Sequence, residues 1–435
     1  MATSIKSEIL SKIYADYLEQ PRRVIARKSF DQADSIDDII SEYTIEAQES
    51  TLQAFFRPAF GKEGFVVPQI GHHPDFLHLK EQPGLTEACP IVTLFLDMVG
   101  STRLGIIYKP VEVFHIKNAI LRSAIDIATS FDGHIHRIMG DAIMVFFGGK
   151  TKTVEESIIN AVNAACSIQY FTTKVVIPQL KNGFGAEPFG IRIGIDYAPK
   201  DKILWGSYGY TGVNEVTATS FHVDVASKLQ HAAGHNQIMI GQSLKEHIDF
   251  PSELLMVKTK LRNNETVSIP YVMPNYTGIE GNPINYKQFI LDWKNYLQYT
   301  PIARYDADYR STGMSIIPYI HVCDQKGSEL GFPYEPCSTI LPKEKNLRFS
   351  VEIPSTHMFP KISYHVENHG AEAERAGENY DNHDTEYNEE LEKVRKGTTH
   401  IHWEHTQYRG LHYMIVKLFS SGRKTHEARL GIYIA

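Results

Sequence analysis

Asp97 and Asp141, 44 positions apart, stand out in type and setting. Asp97 closes the apolar run Ile91–Asp97 and is followed by Met98, Val99, Gly100, Ser101 and Thr102; Asp141 follows Gly140 between two further apolar runs. The first run predicts a buried strand, and the second pair of runs predicts a hairpin turning at Gly140-Asp141. Strand ends on neighbouring strands bring side chains within about 4–5 Å, where two carboxylates repel unless cations lie between them. Divalent metals held there activate an attacking oxygen and neutralise a leaving polyphosphate. Small residues after Asp97 let backbone N–H groups approach phosphates at a helix start. A lone Asp at either position reads as a turn or cap residue. The pair is what points to metal-assisted chemistry.

The elements around the pair have a definite order. His134–Met139 and Ala142–Phe147 are the hairpin strands, and Gly190–Asp196 is another strand. Val111–Ser130 carries Val113, Phe114, Ile116, Ile120, Leu121, Ala124 and Ile125 at helical spacing, and Glu155–Val175 is a second helix. Strand–helix–strand–turn–strand–helix–strand suits an α+β sheet domain with a hairpin. Upstream, Ile9, Leu10, Ile13 and Tyr17 recur at helical spacing, and Ser35 with Asp38 resembles a capping box before Ile36, Ile39, Ile40 and Tyr43. Residues 60–88, rich in Gly, Pro and His, read as irregular, with His72, His73 and His78 as exposed loop histidines. Tyr286–Tyr299 reads as a helical connector. Beyond it, Leu347–Ile353, Lys361–Glu367, His400–His405, Leu411–Phe419 and Arg429–Ala435 read as strands of a β-sandwich, and polar 371–392 as a mobile loop or exposed helix.

The blocks FLDMVGST and GHIHRIMGDAIMVFFG together resemble the catalytic domain of class III adenylyl and guanylyl cyclases. The likeness continues through IRIGID (191–196) and VDVASKLQHAAGHNQIMIG (223–241), and spans about residues 88–275. It implies a ferredoxin-like fold and cyclisation of a nucleoside triphosphate with loss of pyrophosphate. Two divalent ions, Mn²⁺ or Mg²⁺, would bind at Asp97, Met98 and Asp141, with residues 98–102 on the phosphates. It also implies a homodimer in which each composite site joins the metals of one protomer to the base and transition-state residues of the other.

Departures bear on the substrate. Adenylyl cyclases of this type place a Lys four residues before the second metal Asp and an Asp seven before a conserved Asn; guanylyl cyclases use Glu and Cys there. Here these are Arg137 and Thr217. Arg only donates, and loss of the carboxylate removes the acceptor for an exocyclic amine, so UTP is expected, with CTP the alternative. Phe95, on the same strand face as Asp97, either narrows the base pocket or packs in the core. The family's transition-state Asn and Arg correspond to Asp224 and Lys228. Lys donates as a point charge rather than a fork, and an Asp224–Lys228 helix-surface salt bridge is the plain alternative. A catalytically degenerate nucleotide sensor stays open on this ground.

The pattern resembles the Pycsar pyrimidine cyclases of bacterial anti-phage defence. KISYHVENHGAEAE and HIHWEHTQYRGLHYMIVKLF look similar to their C-terminal adenylyl/guanylyl-cyclase and SMODS sensor domain. This implies a helical segment over 1–88, catalytic domain over 89–275, linker over 276–310 and sensor over 311–435. It also implies a product read by a separate effector. Net charge −7 without a like-charge block argues against nucleic acid or an anionic membrane as main partner. No apolar run approaches the ~18–20 residues of a membrane span. The opening MATSIKSEIL lacks the apolar core of a secretion signal. Cys89, Cys166, Cys323 and Cys337 form no CxxC, which disfavours a disulfide framework or zinc site. A cytoplasmic protein is expected.

Overall fold

The computed structural model describes residues 2–19, 51–82, 84–184, 189–210, 212–309, 316–353, 361–378, 383–387 and 397–435. The chain divides into two units: Met1–Pro58, Glu63–Leu244 and Met256–Leu291 form one; Ala59–Lys62, Lys245–Leu255 and Asp292–Ala435 form the other. Its class is α+β, with helices and strands mixed in the first unit and a β-rich second.

In the first unit, α1 (Ala2–Glu19) precedes β1 (Ile91–Val99), α2 (Ser101–Ile107), α3 (Pro110–Ser130), β2 (His134–Met139), β3 (Ala142–Gly148) and α4 (Val154–Phe171). Then follow β4 (Gly190–Ala198), β5 (Leu204–Tyr210), β6 (Val213–Thr219), α5 (Phe221–Ala232), β7 (Gln237–Gly241) and β8 (Gln288–Leu291). A seven-stranded sheet runs β2-β3-β1-β4-β7-β8 and ends on the short strand Leu255–Met256. β4 and β7 pair parallel, whereas β1 lies antiparallel between β3 and β4. A strand so placed, with α4 and α5 packed on it, is buried along most of its length, which is why Ile91, Val92, Leu94 and Leu96 form a near-continuous apolar run. α3 starts at Pro110, and Glu112 accepts the Lys109 N–H at 2.8 Å; α4 starts at Thr153, which accepts from Glu156 N.

Three expectations change. The stretch 60–88 is not merely irregular: Pro74–Glu81 is a 3₁₀ helix, because Phe76 and Leu79 are fully buried and Phe76 stacks on Trp205 at 3.9 Å. His73 is buried there rather than exposed, and burial lowers its pKa to about 4. His72 Nδ1 accepts from Val216 N, and His78 pairs with Glu87. The Tyr286–Tyr299 connector is not one helix: Gln288–Leu291 pairs antiparallel with β7, so sheet hydrogen bonds override helical spacing, and only Trp293–Leu297 is helical, capped by Asp292. Within 371–392, Ala371–Ala376 is a helix and His383–Tyr387 a strand. The Ser35–Asp38 capping box with Ile36, Ile39, Ile40 and Tyr43 lies outside the described residues.

In the second unit a four-stranded sheet holds β9 (Tyr319–Cys323), β10 (Phe332–Tyr334), β12 (Asn346–Glu352) and β15 (Thr399–His405). A five-stranded sheet holds β11 (Ile340–Leu341), β13 (Lys361–Glu367), β14 (His383–Tyr387), β16 (Gly410–Ser420) and β17 (Arg423–Ile434). Both line one core that includes Ile320, Phe349, Val351, Tyr364, Val416 and Leu430, so this unit is a β-sandwich. All four cysteines are buried free thiols. Among the described residues, no helix is long and apolar enough to cross a membrane.

His369 ties this unit's pieces together. Its Nδ1 lies 3.0 Å from Glu253 and its Nε2 3.7 Å from Glu367. Burial works against the imidazolium, but the hydrogen bond to Glu253 and the nearby Glu367 carboxylate prevail and raise the pKa from 6.5 to about 9. A raised pKa means stability fully present below about pH 6.5 and lost as pH climbs through about 9. Melting scans should therefore fall between pH 7 and 10, and His369→Gln should remove that part of the slope; an unchanged slope would reject the clamp.

Candidate functional site

The β1 ladder sets the geometry. Asp97 stands opposite Ala142 of β3 on one side and Arg192 of β4 on the other. Asp141 is the residue before Ala142, at the turn made possible by Gly140 with φ +69°. The two carboxylates therefore start from the same end of adjacent strands. Asp97 Oδ2 accepts from Arg192 Nε at 2.7 Å and Nη2 at 2.6 Å, and from Gln230 Nε2 at 3.3 Å. Arg192 and Gln230 escaped the sequence reading. A lone cationic residue in the apolar run of IRIGID was the available signal for Arg192.

After β1 the chain turns at Gly100, whose φ of +85° suits glycine, and enters α2. The Arg103 and Leu104 N–H groups return to the Gly100 carbonyl, as the first helical bonds do, so Ser101 and Thr102 precede that pattern. The Met98 side chain is buried, which leaves its main chain for any metal contact. Phe95 is partly buried against a core cluster containing Met144, Phe146 and Trp205.

The donor set at the strand ends fits hard divalent cations: two carboxylates and a main-chain carbonyl offer oxygen alone. Arg192 already balances the Asp97 charge, so a cation there would take over a contact that Arg192 makes.

α5 carries the transition-state candidates. It lies hard against β4, for a Cβ at Gly194 would come within 2.1 Å of Gln230 N and 2.3 Å of the Ala226 carbonyl. Asp224 is exposed in the first turn, and its carboxylate forms no hydrogen bond or ion pair with a described residue. Lys228 does not pair with it; the ammonium lies 5.4 Å from the Tyr276 ring centre. The plain salt-bridge alternative is thus not formed. A 960 Å³ cleft opens beside α5, lined by Lys228, Lys258, Lys260 and Gln230. Gln230 also reaches Asp97, so the lysine-lined cleft adjoins the acidic end of β1. Burial lowers the Lys258 pKa, and its ammonium donates to the Ala232 carbonyl.

At the hairpin, Arg137 is not a free donor: its guanidinium forms an ion pair with Glu215. Glu215 and Thr217 are two apart on β6 and share a strand face. The carboxylate inferred to be lost at Thr217 is therefore present one position pair away. Sequence reasoning missed Glu215 because it compared single positions; the alternation in NEVTAT held the signal.

Known proteins bear on the whole arrangement. Residues 298–435 match the adenylyl/guanylyl and SMODS C-terminal sensor domain. The chain is 37% identical over 386 residues to a cytidylate cyclase of Escherichia coli, covering 86% of this chain and 80% of that protein. A cytidylate cyclase of Staphylococcus aureus is 34% identical over 387 residues, with 87% and 86% covered. Among solved structures, the adenylyl cyclase CyaB from P. aeruginosa aligns with TM-score 0.38 at 21% identity, over 48% of this chain and 95% of that one. The guanylyl cyclase Cya2 gives 0.35 at 22%, over 45% and 98%.

Removing the Arg192 guanidinium leaves the Asp97 carboxylate with the Gln230 amide and no cation beside it. In chelator, Arg192→Ala should cost about 1 kcal/mol, or about 2–4 °C of melting temperature, and Mn²⁺ should restore most of it. An unchanged melting point in chelator would reject this charge balance.

Proposed function

The chain belongs to the family of nucleotidyl cyclases that these cytidylate cyclases represent, and we propose that it converts CTP to 3′,5′-cyclic CMP and pyrophosphate. The ion pair of Arg137 with Glu215 carries the base assignment. Cytosine presents an amine beside ring acceptors. Glu215 accepts from that amine, Arg137 donates to N3 or O2, and Thr217 adds a hydroxyl on the same strand face. Uracil puts a carbonyl where cytosine has the amine, and a carboxylate repels it. The relatives' own substrate class supports CTP over the UTP expected from Arg137 and Thr217 alone.

In the reaction the ribose 3′-oxygen gives up its proton and bonds to the α-phosphorus. The bond from that phosphorus to the oxygen bridging to the β-phosphorus breaks in line, and pyrophosphate leaves. Asp97, Asp141 and the Met98 carbonyl would hold two divalent cations, Mg²⁺ or Mn²⁺, which would supply Lewis-acid activation of the hydroxyl and offset the leaving charge. Backbone amides of residues 99–102 approach the phosphates, and Arg192 turns from Asp97 to them. Lys228 leaves the Tyr276 face to donate to the α-phosphoryl oxygens, with Asp224 orienting it or the ribose. A homodimer assembles two composite sites, Asp97 and Asp141 from one protomer meeting Arg137, Thr217, Glu215, Asp224 and Lys228 from the other. The cyclic nucleotide serves as a second messenger of anti-phage defence, read by a separate effector.

The purified chain, given ATP, GTP, CTP and UTP separately with Mn²⁺, should release pyrophosphate from CTP and yield cyclic CMP by mass. Cyclic UMP as main product would overturn the base assignment, and no product from any triphosphate would overturn the reaction. Asp97→Ala and Asp141→Ala should each lower turnover about 1000-fold or more, roughly 4 kcal/mol of barrier, with folding unchanged. Glu215→Gln should shrink the CTP-over-UTP preference while turnover on UTP persists.

A further inference from the structure

The C-terminal sandwich holds a cavity of about 260 Å³ between its two sheets, where β12 begins and β15 and β17 end. Its floor is apolar: Leu347, Phe349, Val366, Met414, Ile432 and Ile434. These side chains belong to or pack on the sandwich core.

The mouth is polar and partly pre-arranged. Glu404 lines it, and its Oε1 takes His402 Nε2 at 2.6 Å and His383 Nε2 at 3.2 Å. His402 is itself fixed, with Nδ1 3.0 Å from the Tyr387 hydroxyl and its ring stacked on Tyr364 at 4.1 Å. Burial opposes the Glu404 charge, yet the hydrogen bonds from His402 and His383 prevail and hold the carboxyl below its usual range. The second oxygen, Oε2, takes no bond from any described residue. The side-chain amides of Asn368 and Gln407, also at the mouth, have no described partner either. His412 is committed, since Nδ1 accepts from His369 N and Nε2 donates to the Tyr408 carbonyl; burial lowers it to about 4, so its ring is neutral.

We propose that this cavity binds a small uncharged heterocycle of nucleobase or nucleoside size, read along an N–H edge by Glu404, Asn368 and Gln407. A fixed carboxylate with an open oxygen selects an N–H donor. Two amides, each able to donate and accept, match the alternating groups of a heterocyclic edge. The apolar floor takes the ring faces and excludes water from the polar contacts. The volume lies below the roughly 300–1,000 Å³ of drug-sized sites, which limits the ligand to a single ring system with little attached. No lysine or arginine lines the cavity among the described residues, while Glu378 adds a second carboxylate. A phosphate placed there would lie near two carboxylates, with only the imidazoles of His383, already bonded to Glu404, and His405 on the lining, so phosphorylated nucleotides bind more weakly than the nucleoside. The site lies wholly in the second unit and does not depend on the cyclase reaction.

Calorimetric titration of the full chain with cytidine, uridine, adenosine and guanosine, and with their 5′-monophosphates, tests the assignment. At least one nucleoside should bind one per chain, and its 5′-monophosphate about tenfold or more weaker. Glu404→Gln should weaken that nucleoside about tenfold. Gln407→Ala, at an exposed and unpartnered side chain, should do so without disturbing the fold. Asp141→Asn should leave this binding unchanged even where it abolishes turnover, which separates this site from the cyclase reading. Absence of nucleoside binding at millimolar concentration, tighter binding of the monophosphate, or loss of binding in Asp141→Asn but not in Glu404→Gln would overturn it.

Discussion

Two acidic residues leave the same end of neighbouring strands, and the ladder between β1 and β3 fixes their backbone positions there. Asp97 stands opposite Ala142, and Asp141 is one residue away. Separating them means breaking the pairing of β1 with β3. The same ladder supplies the answer on the other side, where Arg192 is the residue opposite Asp97. Gln230 adds a neutral donor from α5, and the contact at Gly194 fixes how near that helix stands. The site is thereby charge-balanced in the bare chain.

Much of this was legible in the order of residues. The apolar run before Asp97, the glycine before Asp141 and the helical spacing of 111–130 follow from local rules, and the elements appear where those rules put them. Five strands of the sandwich, β12, β13, β15, β16 and β17, were legible because alternating apolar residues face one shared core, whereas β9, β10, β11 and β14 were not read as strands. What escaped was set by pairing at a distance. Phe76 and His73 look like loop residues until Trp205, about 130 positions later, buries them. Gln288–Leu291 has helical spacing yet finds β7 as its partner.

Base reading shows the same lesson at one side chain. Comparing Thr217 with its family counterpart gave a lost carboxylate. The strand returns one at Glu215, on the same face and bonded to Arg137. Alternate residues of a strand share one face, so a carboxylate two positions from Thr217 lies on the same side of β6 while having no positional match to the family's acid.

Strand β8 has a practical consequence. It comes from residues 288–291, past the stretch that looks like a cyclase, yet it covers the flank of β7. A fragment stopped at residue 275 would leave Ile238, Met239 and Ile240 on a bare strand with its N–H and C=O groups unsatisfied. Such flanks recruit other chains and aggregate. The catalytic half therefore cannot be trimmed at its apparent homology limit: a well-behaved fragment has to run through Leu291.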